Sequence, residues 1–136
     1  MVRRSRMNLD EIDRRIRKIA KSTKRDVVVF GGEFDLNSRA SQTIAPKYLW
    51  KVVTIRQINK ALAIVTINVP DLTEEEASKL ERAICLDICA NINWMNNKDW
   101  HNVKLGYTFC CDPEEFAEKV NPTFKNLFPT NVLDTV

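Results

Sequence analysis

The sequence predicts an α+β fold: an antiparallel sheet of about four strands with helices packed on it. Three observations carry this. Residues 50–92 read as strand, tight turn, strand and capped helix. A basic segment with apolar residues at helical spacing precedes them, and a further strand and short helix follow. At 136 residues the chain has the length of one domain. The predicted strands are 27–35, 50–57, 61–69 and 103–110, and the predicted helices are 8–24, 73–92 and 113–120. Together they make a single α+β domain, 1–136, with a basic extension at 1–7 and a docked or free tail at 121–136.

In helix 8–24, Asn8 is the expected N-cap, with Glu11 completing a capping box. Leu9, Ile12, Ile16, Ile19 and Ala20 form the apolar stripe. Asp10, Glu11 and Asp13 lie in its first turns and Lys21, Lys24 and Arg25 at its end, which suits the helix dipole. The β-branched run Val27–Val28–Val29 with Phe30 starts a strand. Gly31-Gly32 predicts a bulge or turn, after which residues 33–35 continue. Residues 36–48 have no period, and a segment that long without structure is often functional or mobile.

Strands 50–57 and 61–69 are expected to join through Asn59-Lys60. That register sets Val53 opposite Thr66 and Ile55 opposite Ile64 on one face, with Val52 opposite Ile67 and Thr54 opposite Val65 on the other. Neither face is cleanly polar, so both are expected to be covered, the second by the N-terminal helix or by another subunit. Pro70 ends the strand, and Thr73 with Glu76 caps the next helix. Trp94 and Trp100 flank a polar loop, and residues 103–110 alternate as a strand with Val103, Leu105, Tyr107 and Phe109 on one face. Asp112 with Pro113 opens a short helix. The order of elements is similar to that of phage tail-terminator and head-completion proteins, an architectural likeness without a shared motif.

The net charge of +3 is unevenly spread. Residues 1–25 carry ten Lys or Arg against three acids, and the remainder carries eleven against fifteen. A ridge of Arg14, Lys18, Lys21 and Arg25, preceded by Arg3, Arg4 and Arg6, is the expected contact for nucleic-acid phosphates. The plainer reading is a solvated face on a core-packed helix. Trp94, Trp100, Phe124, Leu127 and Phe128 are candidate interface anchors, or else pack on the chain's own core.

Cys85 and Cys89 at helical spacing, the adjacent Cys110-Cys111 and the single His101 could be combined into a zinc site. The spacing argues against it, because neighbours in a strand point to opposite faces and paired knuckles are absent. No metal, cofactor or catalytic residue is therefore predicted. An enzyme would need a pocket collecting Asp99, His101 and Cys110 or Cys111. The basic N-terminus has no apolar stretch behind it, and no run is long enough to span a membrane. The expectation is a cytoplasmic (or virion) protein with free thiols and no membrane partner. The expected function is a non-enzymatic binding or assembly module whose basic helix faces nucleic acid. The alternatives are a structural subunit of a homo-oligomeric, viral-type assembly and a small enzyme.

Overall fold

The computed structural model describes residues 2–35 and 47–136, with side chains from residue 7 onward. Residues 36–46 of the long expected loop, and the side chains of Arg3, Arg4 and Arg6, lie outside the described residues. The fold is α+β as predicted. Strands β1 (Val27–Phe34), β2 (Tyr48–Ile55), β3 (Lys60–Ile67) and β4 (Thr108–Cys111) form an antiparallel sheet in that order. A two-residue strand, β5 (Asn131–Val132), pairs parallel with the start of β3. The helices are α1 (Val2–Thr23), α2 (Glu74–Arg82) and α3 (Pro113–Val120).

Strand β3 is an almost unbroken apolar run, and from Ala61 to Ile67 every residue is buried. Such a strand must be covered on both faces, and the chain supplies both covers itself. On one face, Ile12, Ile16 and Ile19 of α1 pack with Val53, Ile55, Leu62, Ile64, Trp94, Trp100 and Leu133. On the other, Val52, Ala63, Val65 and Phe109 pack with Ala77, Ile84, Phe116 and Phe128. Lys51, on the α1 side of β2, forms an ion pair with Asp13.

The facial assignment of the hairpin is as expected, but its register is not. Val53 pairs with Leu62 and Val52 with Ala63, four residues from the expected partners. The connection is a 3-10 turn, Arg56–Ile58, closed by Asn59 in the left-handed conformation (φ 56°), rather than a two-residue Asn59-Lys60 turn. A shift by an even number of residues leaves each side chain on its original face.

Gly31-Gly32 forms no turn. β1 runs straight through, with Gly31 opposite Lys51 and Gly32 opposite Trp50. A side chain at Gly32 would meet the Trp50 ring at 2.9 Å, so the glycine makes room for the indole. That indole belongs to a continuous series of seven rings. The contacts run from Phe30 to Phe128, Phe124, Trp50, Phe116, Phe34 and Tyr48, with centroids 4.7–6.2 Å apart. The series holds α3 and the segment after it against β1 and β2. The Tyr48 hydroxyl donates to the Leu80 carbonyl at 3.1 Å, tying α2 to the sheet, and burial pushes its pKa up to about 12.

Three other expectations are corrected. Asn8 is not a cap: α1 starts at Val2, and Asn8 is buried within it. Its Nδ2 donates to the carbonyls of Asp99 (3.0 Å) and Gly106 (2.9 Å), and its N–H donates to Leu105 (2.9 Å). The helix predicted for 73–92 keeps its Thr73–Glu76 capping box but stops at Arg82. Beyond it, Ile88 N–H donates to Cys110 O at 3.0 Å, and Asp87 Oδ1 accepts the N–H groups of Cys89 and Cys110, each at 2.9 Å. The chain has left the helix to run beside β4. The strand predicted for 103–110 begins only at Thr108, after Gly106 at φ 97°.

The cysteines are not free. Disulfides join Cys85 to Cys111 and Cys89 to Cys110. Cys110 and Cys111 point to opposite faces of β4, so the two bonds clasp segment 85–89 from both sides. A bond closing a loop of this size contributes roughly 3 kcal/mol, less when nested inside another.

Two outcomes follow for stability. Gly32→Ala should cost about 1–3 kcal/mol by overpacking, because Trp50 is braced by Phe116 and Phe124; urea denaturation of the variant checks it, and an unchanged midpoint would mean the indole moves freely. Replacing Cys89 and Cys110 together by Ala should cost about 2–4 kcal/mol, read as a lowered melting temperature under non-reducing conditions.

Candidate functional site

The exposed side of α1 carries the chain's densest positive charge. Its register follows from the buried stripe: with Ile12, Ile16 and Ile19 turned inward, Arg14, Arg17, Lys18 and Lys21 face out. Glu11 partly neutralises the near end. Its carboxylate accepts Arg14 Nε at 3.1 Å, Arg14 Nη2 at 2.6 Å and Arg15 Nε at 2.6 Å. The Arg14 hydrogen bonds hold the Glu11 pKa below the usual carboxylate range against the opposing effect of burial, and Arg15 adds to the lowering. Arg15 is a fastener: Nη1 donates to Trp94 O at 3.3 Å, and the guanidinium lies 5.4 Å from the Trp100 ring centroid.

Farther along, Arg17, Lys18, Lys21 and Lys24 have no acidic partner within ion-pair distance among the described residues. The helix ends at Thr23, and Lys24 turns back in the left-handed conformation (φ 57°). Arg25 is therefore off the helical ridge, with Nη1 3.4 Å from Thr23 Oγ1. A groove of about 310 Å³ runs beside the ridge, bordered by Arg14, Arg15, Lys18, Ser22, Asn93 and Trp94. A larger cavity, about 490 Å³, lies between the start of α1 and the end of the sheet. Leu9, Leu49 and Trp50 line it, and its Asp13 is already paired with Lys51, so it has no basic character to match the ridge.

The aromatic candidates lie in the chain's own packing. Trp94 and Trp100 are buried, their indole N–H groups donating to Leu133 O (3.0 Å) and Met95 O (2.6 Å). Phe128 is buried and Phe124 half-buried in the ring series, while Leu127 is exposed. Near the C-terminus, Leu133 is fully buried, with its N–H on Ala61 O at 2.8 Å.

The grouping of Asp99, His101 and a cysteine does not form, because both Cys110 and Cys111 are in disulfides. His101 instead meets two carboxylates that sequence reasoning passed over. Its Nε2 lies 2.6 Å from Asp87 Oδ2 and 3.6 Å from Glu81 Oε1. Tyr107 stacks on its ring and donates its hydroxyl to Glu81 Oε1 at 2.6 Å. Burial first, then the Glu81 contact, raise the Tyr107 pKa, so the phenol keeps its proton.

No family model and no solved structure matches the chain. Two curated proteins are similar to it. Salivary protein Tsal2A of Glossina morsitans morsitans is 31% identical over 88 residues, covering 65% of this chain and 21% of that protein. A salivary endonuclease of Lutzomyia longipalpis is 25% identical over 122 residues, covering 79% of this chain and 28% of that protein. The chain thus spans between a fifth and a third of the length of these relatives.

These findings correct the two broadest expectations. Two disulfides and salivary relatives point to an oxidising, extracellular setting, not to a cytoplasmic or virion protein. Similarity to an endonuclease does not fit a non-enzymatic assembly module, viral or otherwise. Among the described residues, no helix is long and apolar enough to cross a membrane.

The Glu11 cluster has a defined pH signature. Its folded-state pKa is depressed, so its stabilisation is present above the ordinary carboxylate range and disappears as pH falls through the folded-state value. With Arg14 largely exposed, the contribution is about 1 kcal/mol or less. Glu11→Gln should lower the urea midpoint at neutral pH and match wild type in acid. A gap that persists in acid would mean that the charge is not the cause.

Proposed function

We propose that this chain acts on nucleic acid as part of an extracellular, endonuclease-like protein, with α1 supplying contacts to the phosphate backbone. The observation that carries the reading is the outward row Arg14, Lys18 and Lys21, most of it without acidic partners among the described residues, beside an open groove. Phosphate contacts need charge and reach rather than a shaped pocket, and a helical row of long basic side chains provides both. The name of one relative, a salivary endonuclease, supports nucleic acid over other polyanions. Arg3, Arg4 and Arg6 extend the row in sequence, and Arg25 adds charge just beyond the helix. Asn93 and Ser22 at the groove offer neutral hydrogen-bonding groups suited to sugar or phosphate oxygens.

Fluorescence anisotropy with short DNA and RNA duplexes, at about 50 and 200 mM salt, tests this. Binding should weaken steeply with salt. Lys18→Glu with Lys21→Glu should weaken it about tenfold or more and reduce the salt slope by about 2. Reversing Lys119, exposed on α3 across the sheet, should change little. Equal binding by the α1 double variant and wild type would overturn the reading.

A further inference from the structure

We propose that Glu81, Asp87 and His101 form a binding site for a divalent transition-metal cation of the zinc type. The three side chains come from separate parts of the chain: α2, the segment clasped by the disulfides, and the loop before β4. One ligand atom from each lies within 4.8 Å of the others. The imidazole Nε2 is 2.6 Å from Asp87 Oδ2 and 3.6 Å from Glu81 Oε1. Ligands on a tetrahedral zinc at ordinary bond lengths stand about 3.3 Å apart. The observed pair of distances brackets that value, so small side-chain shifts suffice to seat an ion.

The donor set suits the ion. Two carboxylates balance a dication, neutral imidazole is a preferred ligand of zinc-like metals, and three protein ligands leave a fourth position for water. The cysteines contribute nothing, since disulfide sulfur is not a thiolate.

The outer contacts hold each donor in place, as they do around ligating residues in general. Asp87 Oδ1 is held by the N–H groups of Cys89 and Cys110, leaving Oδ2 for the ion. Glu81 is held by the Tyr107 hydroxyl, which donates to Oε1 at 2.6 Å. The His101 ring stacks on Tyr107 at 4.6 Å and 11°. Entry is open: the His101 side chain is half exposed, beside a cleft of about 310 Å³ that Asp87 and Lys98 also border. Without an ion the same groups would form a hydrogen-bonded His–Asp pair only, and the experiment separates the two.

His101 is the chain's one histidine, so its imidazole signals are unambiguous. Zinc chloride titrated into the oxidised protein at neutral pH should shift the His101 imidazole ¹⁵N resonances saturably, with calorimetry giving one ion per chain. His101→Gln and Glu81→Gln should each weaken binding about tenfold or more. Both keep Asp87 in its backbone brace, so folding is preserved and checked by the amide spectrum. Glu114→Gln, exposed at the start of α3, should bind as wild type does. Absence of a saturable imidazole shift in the wild-type protein overturns the proposal, as does undiminished zinc affinity in His101→Gln.

Discussion

The double-sided burial of β3 is the constraint on which the rest of the structure depends. A strand with no polar face cannot sit at a surface, so it requires two layers of cover, and a chain of this length must spend nearly all its elements on them. The basic helix covers one face. The other is covered by α2, α3 and the C-terminal segment, fastened by the ring series from Phe30 to Tyr48. The orientation of α1 is a by-product of this need. Once its isoleucines are committed to the sheet, its lysines and arginines have only one direction left.

The edge of the sheet beyond β3 is handled differently. β4 is four residues long and, among the described residues, has no further strand beside it. Segment 85–89 lies there instead, held by one backbone hydrogen bond, the Asp87 carboxylate and two covalent bonds. Asp87 links this edge to the His101 group, because one oxygen braces the segment while the other faces the imidazole. Structure and candidate chemistry therefore share a residue, and Asp87 cannot be altered for one without touching the other.

Much of this was legible in the sequence, and the failures have physical causes. The α+β class, the first two helices and the facial alternation of the hairpin came from apolar spacing, which reports burial directly. The caps at Thr73 and Asp112 came from local hydrogen-bond chemistry, and both are present. The hairpin register was missed because any even shift preserves the alternation. The end of α2 was missed because apolar residues continued past it, now facing β4 rather than lining a helix. The same rule used against zinc, that strand neighbours point to opposite faces, also allows Cys110 and Cys111 to reach Cys89 and Cys85 around an edge. The even cysteine count carried that signal. Of the functional candidates, the charge of α1 was visible at once. The meeting of His101 with Glu81 and Asp87 was not, since no spacing rule connects three residues brought together by a turn, a disulfide and a stacked ring.

The nested disulfides also change what a break in the chain would do. Every peptide bond between Cys89 and Cys110 lies inside a covalent ring, as does every one between Cys85 and Cys111. A single cut in the loop carrying Trp94, Trp100 and His101 would open that ring yet release nothing. Both halves would remain joined through the edge of the sheet. In a fluid containing proteases, that loop can be nicked and still keep its place on the protein.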